Sequence, residues 1–316
     1  MIFRISDSLV PLARCALALA IIFAMLSPVG CSKNARQAKP SQQTLRVFVS
    51  IGPQAYFVQR IGGKHVRVEV LLSPGMGPDS YDPSAKQLAR LSRSDAFFRI
   101  GVPFENKLMP KITSIMPQLK IVDTRQGITL RKMQSTHSCD GDHDDHAGRD
   151  PHIWLSPQLV KQQARTICKA LQKLDPKHAA YYDSNLREFL TDLDKLDAKI
   201  AKTLAPMKGQ TFFVFHPAFG YFADAYGLTQ QAVEIEGKKP SAKQLGKLID
   251  QARAKGARII FVEPQFPSQS AQRIAQAIGG TVVPIDPLAE DYMKNLANIA
   301  EKIGNRSPQQ STDFTD

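Results

Sequence analysis

Histidines and aspartates are concentrated in one stretch near the middle of the chain. Four of the seven histidines, His137, His143, His146 and His152, fall within sixteen residues. Neutral imidazoles and carboxylates are the ligands that zinc and other divalent transition metals prefer. The first three histidines stand among aspartates without a large apolar residue, whereas His152 is followed by the apolar Ile153-Trp154. We therefore expect a loop over 137–149 that collects metal loosely and leads into one ordered histidine. The alternative is a solvated polar segment with no ligand.

Further candidate ligands stand at the mouths of loops in both halves of the chain. His216 directly follows a predicted strand, Asp286 follows another, and Asp79 precedes a predicted helix, as His152 does. Ligands of open α/β sheets bind beyond the carboxyl ends of the strands. Two imidazoles and two carboxylates would suit a divalent transition metal. Each residue also has a simpler explanation: a hydrogen-bonded histidine, an Asp-Pro turn at Asp286, or a helix cap at Asp79.

The elements that must position these residues alternate along the chain. Short runs rich in β-branched and aromatic residues alternate with helical patterns, which indicates βαβ units and mostly parallel sheets. Between Ala179 and Leu204 apolar residues recur at helical spacing without Gly or Pro, which predicts a helix about 39 Å long. We expect an α/β protein of two lobes, each a mostly parallel sheet flanked by helices, joined by this rigid helix. The expected bounds are 44–174, 175–205 for the linker, and 206–303, with a disordered tail over 304–316.

The first thirty residues are expected to be a signal peptide. Arg4 and Arg14 precede an apolar run, Ala16–Leu26, which is too short to span a bilayer comfortably. Small residues then lead to Cys31, in a pattern that resembles the lipobox of bacterial lipoproteins, except that Pro28 replaces the usual leucine. We therefore predict a lipid anchor on Cys31 and a polar tether over 31–43, with simple secretion as the alternative. Cys139 and Cys168 remain, and they could pair in an oxidising compartment.

The composition argues against a nucleic-acid-binding protein. The formal net charge is +12, but the basic residues are scattered along predicted helices and form neither a basic run nor an aromatic-interleaved patch. We interpret the charge as solvated helix faces with some attraction to anionic membrane surfaces.

Five motifs together resemble the zinc/manganese-type solute-binding proteins of metal ABC transporters, the cluster A-I or cluster 9 family. In chain order they are Pro78–Pro83, Asp150–Trp154, His216–Phe219, Phe261–Phe266 and Asp286–Ala289. The resemblance covers about residues 44–303. It implies two α/β lobes joined by one long helix, small hinge motions, and a metal ion bound between the lobes.

The resemblance implies the metal ligands Asp79, His152, His216 and Asp286, with one departure from the family pattern. The family usually has a histidine where this sequence has Asp79, and a glutamate where it has Asp82. Two histidines with two carboxylates are typical of manganese members. The histidine at 216 and the His-rich loop are features of zinc members, and we favour Zn²⁺ with Mn²⁺ as the alternative. Glu263 is expected to orient a ligand without binding the metal.

The function implied is capture of a divalent metal outside the cytoplasm and its delivery to an ABC permease. The protein is then a periplasmic or cell-surface monomer, with no catalytic activity. A zinc hydrolase is the alternative from another class, but the sequence lacks a helix-borne His-Glu-x-x-His motif, and four protein ligands leave no open coordination position for water. An adhesin that shares the fold is a third alternative.

Overall fold

The computed structural model describes residues 44–133, 148–234, 241–266 and 269–304. Several predictions lie outside these residues. They are the signal peptide 1–30, the tether 31–43 with Cys31, the loop residues His137, Cys139, His143 and His146, and the tail beyond Gly304. Gly304, which the predicted tail included, is instead the last residue of the final helix.

The N-terminal lobe is built on a parallel sheet. Its strands are β1 (Leu45–Val49), β2 (Val66–Val70), β3 (Ala96–Arg99) and β4 (Lys120–Asp123), in the order β2-β1-β3-β4. The helices of this lobe are α1 (Gly52–Gly62), α2 (Ala85–Leu91) and α3 (Pro103–Ile115). Parallel neighbours require a crossover between them, so the carboxyl ends of all four strands meet at one edge of the sheet.

The C-terminal lobe repeats this topology. Its strands are β5 (Thr211–Val214), β6 (Thr229–Ala232), β7 (Ile259–Val262) and β8 (Thr281–Pro284), in the order β6-β5-β7-β8 and all parallel. Its helices are α6 (Gly220–Tyr226), α7 (Ala242–Ala254), α8 (Gln269–Ala277) and α9 (Tyr292–Gly304). The helices α4 (Pro157–Leu174) and α5 (Ala179–Leu204) lie between the two lobes in the chain. The predicted fold class is confirmed.

Two helices connect the lobes. α4 (Pro157–Leu174) is followed by a 3₁₀ turn and then by α5 (Ala179–Leu204), which has the predicted bounds. Its buried residues follow the predicted stripe: Tyr182, Phe189, Leu193, Leu196, Ile200 and Leu204. α5 packs against α1, α4 and α9. Within the residues that the structure describes, no helix is long and apolar enough to cross a membrane.

The core is divided unequally. One cluster contains the N-terminal sheet, α5 and one face of the C-terminal sheet, so it runs through both lobes. A smaller cluster lies on the other face of the C-terminal sheet, under α7 and α8. The linker helix is therefore part of the shared core, which opposes independent movement of the lobes.

Three elements were not predicted. α3 contains Pro110 in its interior, and α6 is only seven residues long, so neither shows a long uninterrupted helical pattern. β6 reads Thr-Gln-Gln-Ala and lacks the apolar alternation of a strand. These elements take their structure from their neighbours: β6, for example, pairs along its whole length with the buried β5.

Candidate metal centre

His152 is oriented by a carboxylate two residues before it. Asp150 Oδ1 accepts the main-chain N–H of His152 at 3.0 Å and lies 2.8 Å from its Nδ1. Both side chains are buried, and a neutral ring that donates from Nδ1 keeps an acceptor lone pair on Nε2. Trp154, two residues further on, donates its indole N–H to the carbonyl of Pro287 in the other lobe. The Asp-Pro-His motif thus fixes both the tautomer and the position of this histidine.

Asp150 is in turn attached to the C-terminal lobe. Tyr221 on α6 donates its hydroxyl hydrogen to the carbonyl of Asp150 at 2.9 Å and accepts the N–H of Arg131. The Arg131 Nε lies 4.0 Å from the second oxygen of Asp150 and 3.5 Å from Asp224. The orientation of His152 therefore depends on contacts that cross between the lobes.

His216 is oriented by a carboxylate distant in sequence. It lies just beyond β5, and its Nδ1 is hydrogen-bonded to Glu234, which lies just beyond the neighbouring strand β6. The imidazole stacks on Phe266, with ring centroids 4.9 Å apart. Burial alone would lower the pKa of His216, but the hydrogen bond and charge of Glu234, helped by Glu263 and Asp79, raise it above its ordinary value. The surroundings of this ring therefore favour positive charge.

The two histidines face each other across the lobe boundary. Their Nε2 atoms are 3.4 Å apart. Two Zn–N bonds of about 2.0–2.1 Å at the tetrahedral angle place their nitrogen atoms about 3.3–3.4 Å apart. The same distance accommodates one proton shared between the rings, so the pair could exchange that proton for a metal ion. The histidine pair fits half of a tetrahedral cation site.

The two predicted carboxylate ligands have different surroundings. Asp79 is exposed, and its charge contributes to the raised pKa of His216. Asp286 Oδ1 accepts hydrogen bonds from the Gln265 side chain at 3.0 Å and from the N–H of Leu288 at 2.9 Å. Among the described residues, no three His, Cys, Asp or Glu side chains form a group that could hold a metal ion. The structure thus brings His152 and His216 together, with neither carboxylate grouped with them.

The alternative roles of these carboxylates have different outcomes. Ser84, not Asp79, caps α2, in a reciprocal arrangement with Gln87, so the capping explanation for Asp79 is wrong. Asp286 does make the turn contact expected of an Asp-Pro sequence, through the N–H of Leu288. It also borders a cavity of about 580 Å³ that includes Met76 of the N-terminal lobe and Glu290 of the C-terminal lobe.

Glu263 lies beside His216, but its contact is with the main chain. Its Oε2 accepts the N–H of His216 at 3.3 Å, and its Oε1 is buried without a hydrogen-bond partner in the structure. Burial raises the pKa of Glu263 to about 8. The His216 ring is oriented by Glu234, which sequence reasoning missed. It also missed the orienting role of Asp150, although the Asp-Pro-His spacing offered a local signal.

The ends of the predicted metal-collecting loop are joined close to His152. Lys132 and Arg149 form an antiparallel bridge, the Met133 N–H donates to the carbonyl of Gly148, and the Asp150 N–H donates to that of Arg131. We call residues 131–133 and 148–150 the stem. The stem places the beginning and the end of the loop side by side, and it includes Asp150.

Comparisons with known proteins identify the family of the chain. The model of the family "Zinc-uptake complex component A periplasmic", ZnuA, matches residues 47–305. A solved structure of a ZnuA deletion mutant with zinc bound is 41% identical, with a TM-score of 0.76, covering 84% of this chain and all of that one.

Two curated relatives carry different metals in their names. The high-affinity zinc uptake system protein ZnuA of Bacillus subtilis is 28% identical over 282 residues, 83% of this chain and 84% of its own length. The manganese-binding lipoprotein MntA of the same organism is 26% identical over 267 residues, 83% of this chain and 85% of its own. With the family match covering most of the chain, the protein belongs to the ZnuA family of solute-binding proteins of metal ABC transporters.

Proposed function

We propose that this protein captures Zn²⁺ between its lobes, outside the cytoplasm, and delivers it to an ABC permease. The observation that carries the proposal is the histidine pair. Two buried imidazoles from different lobes face each other at a spacing suited to tetrahedral zinc, each with its Nδ1 engaged by a carboxylate. A cation placed there would bridge the lobes.

The full ligand set that we propose is His152, His216, Asp79 and Asp286. Asp79 is near enough to affect the pKa of His216, and its exposure leaves it free to turn toward a cation. The hydrogen bonds to Asp286 from the Gln265 amide and from the Leu288 N–H both end on Oδ1, so Oδ2 is the oxygen that would bind the metal.

Zinc is preferred to manganese on the chemistry of the nearest donors. The two groups already in place are imidazoles, which suit zinc, whereas manganese prefers oxygen ligands in a larger coordination shell. The Bacillus zinc-uptake relative and the zinc-bound ZnuA structure support this assignment. The manganese-binding relative keeps Mn²⁺ as the competing cation.

We further propose that the chain acts as a monomer anchored through a lipid on Cys31, without enzymatic activity. The manganese-binding relative from Bacillus subtilis is a lipoprotein by name, which supports the anchor. A site whose four positions are taken by side chains leaves no place for a metal-bound water, which supports a transport role over hydrolysis. The loop histidines His137, His143 and His146 would collect metal near the stem.

The test is calorimetry on metal-free protein with Zn²⁺ and with Mn²⁺. One tight zinc event and additional weak ones are expected for the unchanged chain. His216→Ala should remove the tight event, and deletion of 137–146 should remove only weak ones. His178→Ala is the matched control, because His178 also bonds an aspartate but stacks on His65, away from the pair. Loss of the tight event in the deletion, with His216→Ala unaffected, would contradict the proposal. Asp79→Ala and Asp286→Ala then test each carboxylate.

A further inference from the structure

A second cavity lies away from the histidine pair, along the N-terminal lobe. It has a volume of about 570 Å³ and lies between β4, the following loop and α4. Its lining residues are Lys120, Ile121, Val122, Gln126, Arg165, Thr166, Lys169, Ala170, Lys173 and Leu174. We call it the β4–α4 groove. None of the metal-site residues borders it.

The groove follows the free edge of the N-terminal sheet. β4 is the last strand in the order β2-β1-β3-β4 and pairs only with β3 among the described strands. Lys120, Ile121 and Val122 are consecutive and all line the groove. Because successive side chains of a strand point to opposite faces, a cavity bordered by three in a row runs along the edge of the sheet. The outward N–H and C=O groups of β4 therefore face the groove and can accept another strand.

The other wall of the groove is a basic stripe of α4. Arg165, Lys169 and Lys173 follow each other at four-residue intervals, which places them on one face of the helix, and all three are exposed. The neighbouring row, Thr166, Ala170 and Leu174, is partly buried and gives the groove an apolar floor with Ile121. With Lys120 at the rim, four cations border the groove, and its lining contains no Asp or Glu.

The two walls match in length. From Arg165 to Lys173 the helix advances about 12 Å at 1.5 Å per residue. The four residues of β4 extend about 13 Å at 3.3 Å per residue. An extended segment of four or five residues laid beside β4 would thus have its alternate side chains along the basic stripe.

We propose that the β4–α4 groove binds an extended acidic segment of a partner protein, which adds to the sheet as a fifth strand beside β4. Main-chain hydrogen bonds to β4 supply the alignment, and the four cations select acidic side chains at alternate positions. The site is separate from metal capture, so a partner could be bound whether or not the protein carries metal.

The test uses fluorescence anisotropy with a fluorescein-labelled peptide of four Glu-Val repeats and the intact chain. We expect saturable binding that weakens as salt rises. Lys169→Glu/Lys173→Glu should weaken it at least tenfold. Lys243→Glu/Lys247→Glu is the matched control. Its two lysines are also exposed and four residues apart, on α7, and this variant has the same net charge as Lys169→Glu/Lys173→Glu. Zinc binding should be unchanged in both variants, which shows that each is folded.

Two further probes decide what the groove recognises. A peptide N-methylated at alternate residues cannot donate main-chain hydrogen bonds along one of its edges. Two such peptides are compared, one methylated on the Glu residues and one on the Val residues, and at least one of them should bind at least tenfold more weakly than the unmodified peptide. Equal binding of both methylated peptides would overturn strand addition. Binding of a Lys-Val peptide as strong as that of Glu-Val would overturn the acidic preference. Vesicles with phosphatidylglycerol that bind through Lys169 and Lys173, while the acidic peptide does not bind, would make this face a membrane contact instead.

Discussion

The two histidines of the candidate metal centre are oriented in different ways, one by a carboxylate nearby in sequence and the other by a distant one. His152 is bonded to Asp150, two residues earlier, and this local pair is attached to the other lobe by the Tyr221 hydroxyl. His216 is bonded to Glu234, eighteen residues later, and both belong to the C-terminal lobe. One histidine is therefore preset within its lobe, whereas the other depends on how the lobes meet. The difference indicates that a change in lobe contact would disturb the metal site through His152.

The largest effect should come from removing either imidazole, which tests whether the two histidines contribute equally. We expect His152→Ala and His216→Ala to weaken zinc binding by about 100- to 1,000-fold, since each removes about a quarter of a binding free energy on the order of 10–16 kcal/mol. Competition with a chromophoric zinc chelator measures the loss. An effect confined to one histidine would show that the facing pair is not the site.

Substitution of the two orienting carboxylates compares the partner that is close in sequence, Asp150, with the one that is distant, Glu234. We expect Asp150→Asn and Glu234→Gln each to weaken zinc binding by about 10- to 100-fold, because each orients a metal-bound ring. Asp150→Asn should also lower the free energy of unfolding of the metal-free protein, since Asp150 belongs to the stem, whereas Glu234→Gln should change it less. Denaturant unfolding without metal separates the two effects. Equal losses in the free energy of unfolding would show that Asp150 and Glu234 do not differ in their contribution to the stability of the metal-free protein.

A smaller effect on zinc affinity is expected from loss of the hydrogen bond between the Tyr221 hydroxyl and the Asp150 carbonyl, which joins the two lobes. Tyr221→Phe removes the hydrogen bond to the Asp150 carbonyl, and we expect zinc affinity to fall by about 3- to 10-fold, the equivalent of one hydrogen bond. Tyr226→Phe is the control, because Tyr226 lies on the same helix but donates to Asp197 on α5. It should lower stability and leave zinc affinity unchanged. Equal affinity losses in both variants would indicate general loosening of α6.

The smallest effect on metal binding is expected at Asp175-Pro176, an Asp-Pro sequence that, like Asp150-Pro151, is followed by a histidine bonded to its aspartate. Asp175 accepts hydrogen bonds from His178 and Tyr182, but His178 stacks on His65 and does not face the metal centre. Asp175→Asn should leave zinc affinity unchanged and lower the free energy of unfolding by about 1–2 kcal/mol at pH 7. A loss of zinc affinity in Asp175→Asn would show that Asp–His pairs away from the histidine pair also affect zinc binding. The effect of Asp150→Asn would then not be specific to the orientation of His152.

The pH dependence of this stability loss has a definite sign. Burial of Asp175 acts to raise its pKa, but the hydrogen bonds from His178 and Tyr182 outweigh it and hold the pKa below its ordinary value. A carboxyl group whose pKa is lower in the folded protein stabilises the fold at pH values above its pKa in the unfolded chain, which is about 3.9. This stabilisation is lost as the pH falls through the pKa of the folded protein. The difference in the free energy of unfolding between Asp175→Asn and the unchanged protein should therefore shrink as the pH falls below about 4. Urea titrations at several pH values measure it.

Local patterns of the sequence predicted the structure where local physics determines it. The helix Ala179–Leu204 follows from helical periodicity, and the structure has it with the predicted bounds. The grouping of His152 with His216 was a hypothesis from their places at loop mouths, and the family resemblance implied it as well. Sixty-four residues separate the two histidines, so no local pattern shows that their rings face each other. Glu234 carried no signal, since its partner is reached through the pairing of β6 with β5, and β6 itself was not recognisable.

The stem has a consequence for how such proteins can diverge. Hydrogen bonds join residues 131–133 to 148–150, so the two ends of the intervening segment lie side by side. A change in the length of that segment therefore costs little additional chain entropy. Insertions, deletions and gains of histidine there should leave Asp150 and His152 in place. On the proposed role of the loop histidines, the number of ions that a family member gathers should thus change by mutation independently of how tightly it binds one.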